Sequence, residues 1–259
     1  MPQIHLHAEP GDYAPIVLLP GDPNRATRIA ARFDGGEAGG RLVTSHRGLL
    51  GYTGKVDGVP VSVQTTMMGA PTTSIVVEEL LMLGVTTFIR VGTTGGFGRT
   101  AIGDVVVAMA AAANTGVGDV LGGGEATAPT ASLDVVLALV DAARAEGLTT
   151  HVGPIVTGDV FYDPSPGGSG RWGGRGYLSA EMETAALYLI AMREQGKGRP
   201  VRAGCILTVS DVIADSAEGG ETREGGAETW FRPPEDEVTR RVDLTIGAAL
   251  RAAVALGRG

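Results

Sequence analysis

Apolar positions along this chain fall into two patterns that take turns. Short β-branched runs read as strands over 16–19, 51–55, 59–65, 87–91, 105–109, 151–157 and 206–209. Between them lie stretches with apolar residues at helical spacing, over 23–32, 72–83, 132–146, 183–193 and 235–256. Asp22 and Pro23 supply an N-cap and a first helical position after the first strand. Asp57-Gly58 joins two strands as a tight hairpin. In the 132–146 helix, Leu133, Val136, Leu137, Val140 and Ala143 are expected on one apolar face, with Gly147 ending it. This alternation predicts one α/β domain over residues 1–259, a mixed sheet covered by helices on both faces in three layers. Glycine clusters at 35–40, 116–124 and 167–176 read as loops, and 214–237 as a long loop of the kind that forms active-site lids.

Composition narrows what such a domain can bind. The chain has 259 residues, 43% hydrophobic and 19% charged, an ordinary globular mixture with enough length for one large core. A formal net charge of −8, with no run of Lys and Arg, argues against nucleic acid as a partner. A small anion stays open, because a few buried arginines can hold it locally. Cys205 is the single cysteine, which rules out an intrachain disulfide, and the apolar run at 203–209 makes it a core residue. The chain does not open on a charged-then-apolar leader, and no apolar run approaches the roughly 20 residues of a membrane span. The expectation is a cytoplasmic protein without membrane attachment.

Four motifs stand where strands end, the place where open α/β sheets bind ligands. Leu19-Pro20-Gly21-Asp22-Pro23-Asn24-Arg25 is a strand, a glycine turn and a helix start. It exposes backbone N–H groups to an anion and adds the Arg25 guanidinium, although the same residues also make a plain strand-to-helix turn. Arg90-Val91-Gly92-Thr93-Thr94-Gly95-Gly96 puts an arginine in an apolar run, where it must find an anion, either a structural carboxylate or a ligand. Its glycines are misspaced for G-x-G-x-x-G, and no convincing ribose-binding acid follows. Ala180-Glu181-Met182-Glu183 brings two carboxylates to a helix start, to serve either the helix dipole or the hydroxyls of a sugar. Thr208-Val209-Ser210-Asp211 closes a buried strand with an acid that either caps the next turn or faces a ligand.

With further segments, these motifs resemble the hexameric purine nucleoside phosphorylases and uridine phosphorylases. The matching segments are Ile4-His5, the run from Pro20 to Ala26, His46-Arg47-Gly48 with Gly51-Tyr52-Thr53-Gly54, and Met68-Gly69-Ala70-Pro71-Thr72. They continue with Arg90-Val91-Gly92-Thr93, Asp159-Val160-Phe161-Tyr162, Glu181-Met182-Glu183 and Ser210-Asp211, in family order and over nearly the whole chain. The resemblance implies a three-layer α/β/α fold with a twisted, partly barrel-like sheet. It also implies a pentosyltransferase that uses inorganic phosphate to split a (deoxy)ribonucleoside into base and pentose 1-phosphate, without cofactor or metal. Gly21, Arg25, Arg90 and Thr93 match the phosphate site, and Arg47 the arginine added by a second subunit. His5 matches a histidine lent by that neighbour to the 5′ end, and Phe161 the aromatic residue that packs on the base. Glu183 matches the ligand of the ribose hydroxyls, with Met182 under the sugar and Ala180, Glu181 and Ser210 beside them. Asp211 matches the general acid of the purine enzymes. Arg223 is the nearest candidate for an assisting arginine, reached across an alignment gap, and reads equally as a solvated loop residue. The implied assembly is a homohexamer, a trimer of dimers with shared sites.

The choice of base rests on two places. Uridine phosphorylases carry a glutamine and an arginine soon after the Phe161-Tyr162 position, whereas this chain continues Asp163-Pro164-Ser165-Pro166-Gly167-Gly168, with Arg171 as a displaced substitute. Asp211 stands where the pyrimidine enzymes lack an acid. Purine nucleosides are therefore favoured, 6-oxo or 6-amino, with uridine phosphorylase and 5′-methylthioadenosine phosphorylase as alternatives. A hydrolytic nucleosidase of the same fold would not need Arg25, Arg47 and Arg90 together, and a nucleoside-binding protein would not need Asp211. His7, His46 and His151 read as structural or surface residues.

Overall fold

The computed structural model of the chain describes residues 2–165, 168–214 and 229–259. Its strands are β1 (Ile16–Leu19), β2 (Arg41–Thr44), β3 (Gly51–Val56), β4 (Val59–Gln64), β5 (Thr87–Gly96), β6 (Val105–Asn114), β7 (Thr150–Gly158), β8 (Ser179–Glu181), β9 (Arg202–Ala214) and β10 (Thr229–Phe231). Its helices are α1 (Pro23–Ala30), α2 (Ala70–Met82), α3 (Gly116–Leu121), α4 (Leu133–Ala145), α5 (Thr184–Gly196) and α6 (Glu235–Arg258).

All the strands join one mixed sheet, in the order β10-β9-β6-β7-β8-β5-β1-β4-β3-β2. β9 also pairs in parallel with β5, from Thr87 opposite Arg202 to Gly96 opposite Val212. That second pairing closes β5, β9, β6, β7 and β8 into a ring, so half of the sheet is a small barrel and half an open wing. Such closure removes the free edges of the ring strands.

Helices cover both faces. Ile16 and Leu18 of β1 point into the core shared with α1, α4 and α6, whereas Val17 and Leu19 point into the core shared with α2 and α5. Phe88 and Ile89 of β5 divide the same way, as do Val106 and its neighbours Val105 and Val107 of β6. Strands buried on both faces read as unbroken apolar runs, which is why the sequence pattern located them. Where α4 crosses β9 the layers come close: a Cβ on Gly204 would sit 2.4 Å from Val135 Cγ1.

Several expectations need correction. The buried face of α4 overlaps the predicted one but is rotated: Val136, Val140 and Ala143 are buried as expected, Leu133 and Leu137 are 69% and 54% exposed, and Val135, Leu139 and Ala142 are buried beside the first three. The helix is apolar on more than one side, so spacing alone could not choose which side meets the sheet. β5, β6 and β9 run several residues past their predicted ends, because barrel pairing holds Thr93–Gly96, Ala110–Asn114 and Asp211–Val212 in ladders and β10 pairs with β9 as far as Ala214. The 116–124 glycine cluster contains α3, capped by the Thr115 side chain. Within the expected 214–237 loop, β10 pairs antiparallel with β9, whereas α6 begins at Glu235 as its helical spacing predicts. Asp22 does cap α1, accepting from the Asn24 N–H at 2.9 Å, with Pro23 at its first position. Among the described residues, no helix is long and apolar enough to cross a membrane.

Candidate active site

The ring geometry brings one end of β5, β7, β8 and β9 together. Gly95 pairs with Ala180 and also with Asp211, while Thr157 pairs with Glu181. The β5–β9 register skips one residue: Thr94 faces Val209, and Gly95 faces Asp211. Ser210 is the extra residue of this bulge, and bulges re-aim the side chains beside them. Val209 stays in the core, whereas Asp211 lines a cavity of about 430 Å³.

At the β5 side lies a cationic cluster. Arg90, 5% exposed, donates from Nε to Glu181 Oε2 at 2.9 Å and from Nη2 to Glu183 Oε2. Its third nitrogen, Nη1, is buried and meets no protein acceptor among the described residues. Gly21 lies beside it, since a Cβ there would sit 4.0 Å from Nη1 and 3.0 Å from Met67 O. Arg25 adds a second buried, unpartnered nitrogen, Nε, while its Nη1 donates to Val91 O at 3.2 Å. Burial, reinforced by the Arg90 charge, brings the Arg25 guanidinium down to about 10. Burial also opposes the Arg90 charge, but Glu183 and Glu181 outweigh it and hold that group above its ordinary value. Two buried guanidinium groups with spare donors, next to a residue lacking a side chain, have the chemistry to hold an anion. Thr93, half-buried on β5, follows Arg90 by three residues in the same strand.

The two carboxylates divide their work. Glu181 is spent on protein donors: Thr157 Oγ1 at 2.6 Å, Arg90 Nε, and the N–H groups of Glu183 and Thr184 at 3.0 Å. It fixes Arg90 and the start of α5 together. Glu183 accepts from the Gly69 N–H at 2.6 Å through Oε1 and from Arg90 through Oε2. Burial raises the Glu183 carboxyl, and the Arg90 charge partly offsets this.

Asp211 stands in the cavity wall, 8% exposed. Its Oδ1 accepts from Ser210 Oγ at 2.6 Å, and its buried Oδ2 has no partner among the described residues. Burial raises its pKa, and the Ser210 bond and the more distant Arg232 charge only partly lower it. Burial thus favours the protonated form of this carboxyl, the form a proton donor to a departing base needs. Phe161, Ala180, Glu181 and Met182 line the same cavity. Phe161 is 49% exposed at its rim.

Other expected site residues lie elsewhere. His5 binds Glu79 through Nδ1 at 2.6 Å, and neither it nor Arg47 lines this cavity. Arg47 is exposed, with a left-handed backbone (φ 56°), next to His46, whose ring stacks on His7 at 3.7 Å. His151 pairs with Asp104 at 2.8 Å, as a structural residue would. Arg223 lies outside the described residues. Among the described residues no group of His, Cys, Asp or Glu is placed to hold a metal. The sequence pattern missed the Thr157 hydroxyl and the Gly69 N–H that brace the two glutamates, and Asp163 and Trp172, which line the cavity with Arg171, the residue read from sequence as a displaced substitute. The one available signal for the last group was a tryptophan and two arginines in an otherwise glycine-rich run, Gly170-Arg171-Trp172-Gly173-Gly174-Arg175.

Known proteins resemble this chain along almost its full length. The model of the phosphorylase superfamily matches residues 15–242. A protein of Clostridium perfringens named purine nucleoside phosphorylase DeoD-type is 41% identical over 249 residues, covering 95% of this chain and 98% of the relative. Proteins of the same name from Geobacillus sp. (strain WCH70) and Bacillus cereus (strain B4264) are 40% and 39% identical, covering 88% and 96% of this chain and 93% and 99% of the relatives. With a barrel-and-wing sheet between two helical layers and a family match across its core, the chain belongs to the phosphorylase superfamily.

Proposed function

We propose that the chain is a purine nucleoside phosphorylase, a pentosyltransferase that cleaves purine (deoxy)ribonucleosides with phosphate. The observation that carries this reading is the pair of buried, unpartnered donors, Arg25 Nε and Arg90 Nη1, beside Gly21. A hydrolytic enzyme gains nothing from keeping two desolvated guanidinium groups together, whereas a phosphate dianion satisfies both. The names of the relatives point to the same reaction.

In this reading phosphate lies on Gly21, Arg25, Arg90 and Thr93, and Glu183 holds the ribose hydroxyls above it with Met182 under the sugar. As the C1′–N9 bond breaks, its electron pair moves onto the base and positive charge grows at C1′. Phosphate stabilises that charge and forms the new C1′–O bond. Asp211, helped into place by Ser210, gives its proton to N7 of the departing base and regains one from solvent after release. Phe161 covers the base. Oriented donors already in place for a developing charge are a principal source of rate enhancement.

The assembly belongs to the same reading: a homohexamer built from dimers, in which His5 and Arg47 of each chain complete a neighbour's site. Ile75, Glu79 and Met82 fall on one face of α2, with Ile75 and Met82 exposed, and Glu79 tethers the His5 segment there. Exposed Ile4 and Met68 extend the apolar surface that a second copy would cover.

A panel of purine and pyrimidine nucleosides, assayed with and without phosphate, tests the proposal. Purine release that needs phosphate and yields pentose 1-phosphate is expected. Equal release without phosphate would make the enzyme a nucleosidase, and release confined to uracil would make it a uridine phosphorylase.

A further inference from the structure

The cavity that holds Asp211 continues to a wall made by Asp163, Arg171 and Trp172, to which the phosphorolysis chemistry assigns no role. Arg171 sits in the 3-10 segment Ser169–Arg175, and that segment is anchored. Trp172 meets Tyr177 edge-to-face at 5.0 Å, packs with buried Phe97 and Val156, and carries the Arg175 guanidinium over its ring. A Cβ on Gly173 would lie 3.0 Å from Phe97 Cβ, so the segment sits tight on the core.

On this platform Arg171 is held in one orientation. Its Nη1 donates to Asp163 Oδ2 at 2.8 Å and to the Gly168 carbonyl. Asp163 is oriented in turn by the Ser165 N–H at 2.9 Å. Hydrogen bonds from Ser165 and Arg171 hold the Asp163 carboxyl down to about 2, so it is ionised at neutral pH. Two properties follow. The Nε and Nη2 donors of Arg171 remain without a protein acceptor among the described residues. The positive charge is cancelled beside them, so the wall offers fixed donors without a net charge. That combination suits a neutral carbonyl oxygen better than an anion, and it opposes an exocyclic amine, donor against donor.

We propose that Arg171, oriented by Asp163, donates to the 6-oxo group of the base and gives the enzyme a preference for 6-oxopurine over 6-aminopurine nucleosides. The inference rests on the phosphorolysis reading of the same cavity. The 6-position is the next substituent beyond N7 on the purine edge, so a base with N7 at Asp211 carries that group onward along the cavity that Arg171 lines.

The test compares phosphate-dependent cleavage of inosine and adenosine by the full-length enzyme and by Arg171→Met, which keeps an apolar stem and removes the donors. The inosine-to-adenosine ratio of kcat/KM is expected to fall roughly tenfold, the usual weight of a hydrogen bond from a charged donor. A purely structural role would lower both rates and leave the ratio in place, and an unmoved ratio overturns the proposal. Asp163→Asn, which loosens Arg171 without removing it, is expected to move the ratio in the same direction. It carries the test if Arg171→Met does not fold, and a ratio unmoved in that variant overturns the proposal equally. Absence of phosphate-dependent release from either nucleoside by the unaltered enzyme would instead be the failure of the phosphorolysis reading.

Discussion

The buried ion pair between Arg90 and Glu183 occupies one side of a guanidinium whose other nitrogen, Nη1, lies beside Gly21 with no protein acceptor among the described residues. The same arginine therefore braces the start of α5 and, in the proposed reading, keeps a donor for phosphate.

Arg25 and Arg90 should respond differently to removal. Arg25 carries its charge against burial and against Arg90, and among the described residues no carboxylate is bonded to it, although the Asp22 and Glu183 charges favour it from a distance. Arg25→Met is expected to leave the melting temperature unchanged or higher while raising the KM for phosphate at least about tenfold. Steady-state kinetics at varied phosphate, paired with thermal melts, would check both halves. A large loss of stability would mean that Arg25 is structural.

Glu181 tests the opposite case. It spends its oxygens on Arg90, Thr157 and the first N–H groups of α5. Glu181→Ala leaves the Arg90 charge and several donors short of partners, and breaking a buried pair from one side costs on the order of 3–5 kcal/mol. Denaturant unfolding should register that loss, and activity should fall with it. A stability within error of the unaltered protein would sink this account of the strand-end network.

Asp211 links function to pH. Burial raises its folded-state pKa above the unfolded value of about 3.9. The folded state therefore binds this proton more tightly, a stabilisation fully present below the unfolded pKa and lost as pH rises through the folded one. Asp211→Asn removes the cost of ionising there. Its melting temperature should exceed that of the unaltered enzyme by a margin that opens above about pH 4 and then levels. Turnover of 6-aminopurine nucleosides should fall by about 100-fold or more, the weight of a general acid. Melts across the pH range and single-turnover assays would test the two outcomes separately, and full activity in the variant would refute the acid role.

The proposed sharing of sites between subunits makes a mixing prediction. An Arg47→Ala chain and an Asp211→Ala chain, each inactive alone, are expected to recover activity after subunit exchange. In mixed dimers one site draws an intact Arg47 from one chain and an intact Asp211 from the other. Failure to recover activity after mass spectrometry has verified exchange would argue for sites built within one chain.

Gly204 probes the fold without touching the chemistry. Its missing Cβ lets Val135 of α4 lie against β9. Gly204→Ala should cost roughly 1–3 kcal/mol by overpacking. Denaturant melts would show the loss, and the KM values of the folded fraction should stay in place.

Local patterning in the sequence located seven of the ten described strands and five of the six described helices, missing β2, β8, β10 and α3, and also gave the cap at Asp22, the hairpin at Asp57-Gly58 and the motifs at the strand ends, because capping, turn conformation and burial on both faces each act over a few residues. Tertiary structure alone decided the rest. Which side of α4 is buried depended on the sheet beneath it, since Leu133 and Leu137 are as apolar as the residues that face inward. The spare donor of Arg90 depended on two glutamates about ninety residues away in sequence, brought there only when β5 and β8 pair. The aim of Asp211 came from a bulge at Ser210 that exists only against β5. Pairing between distant strands sets these positions, and no local window of the chain contains both partners.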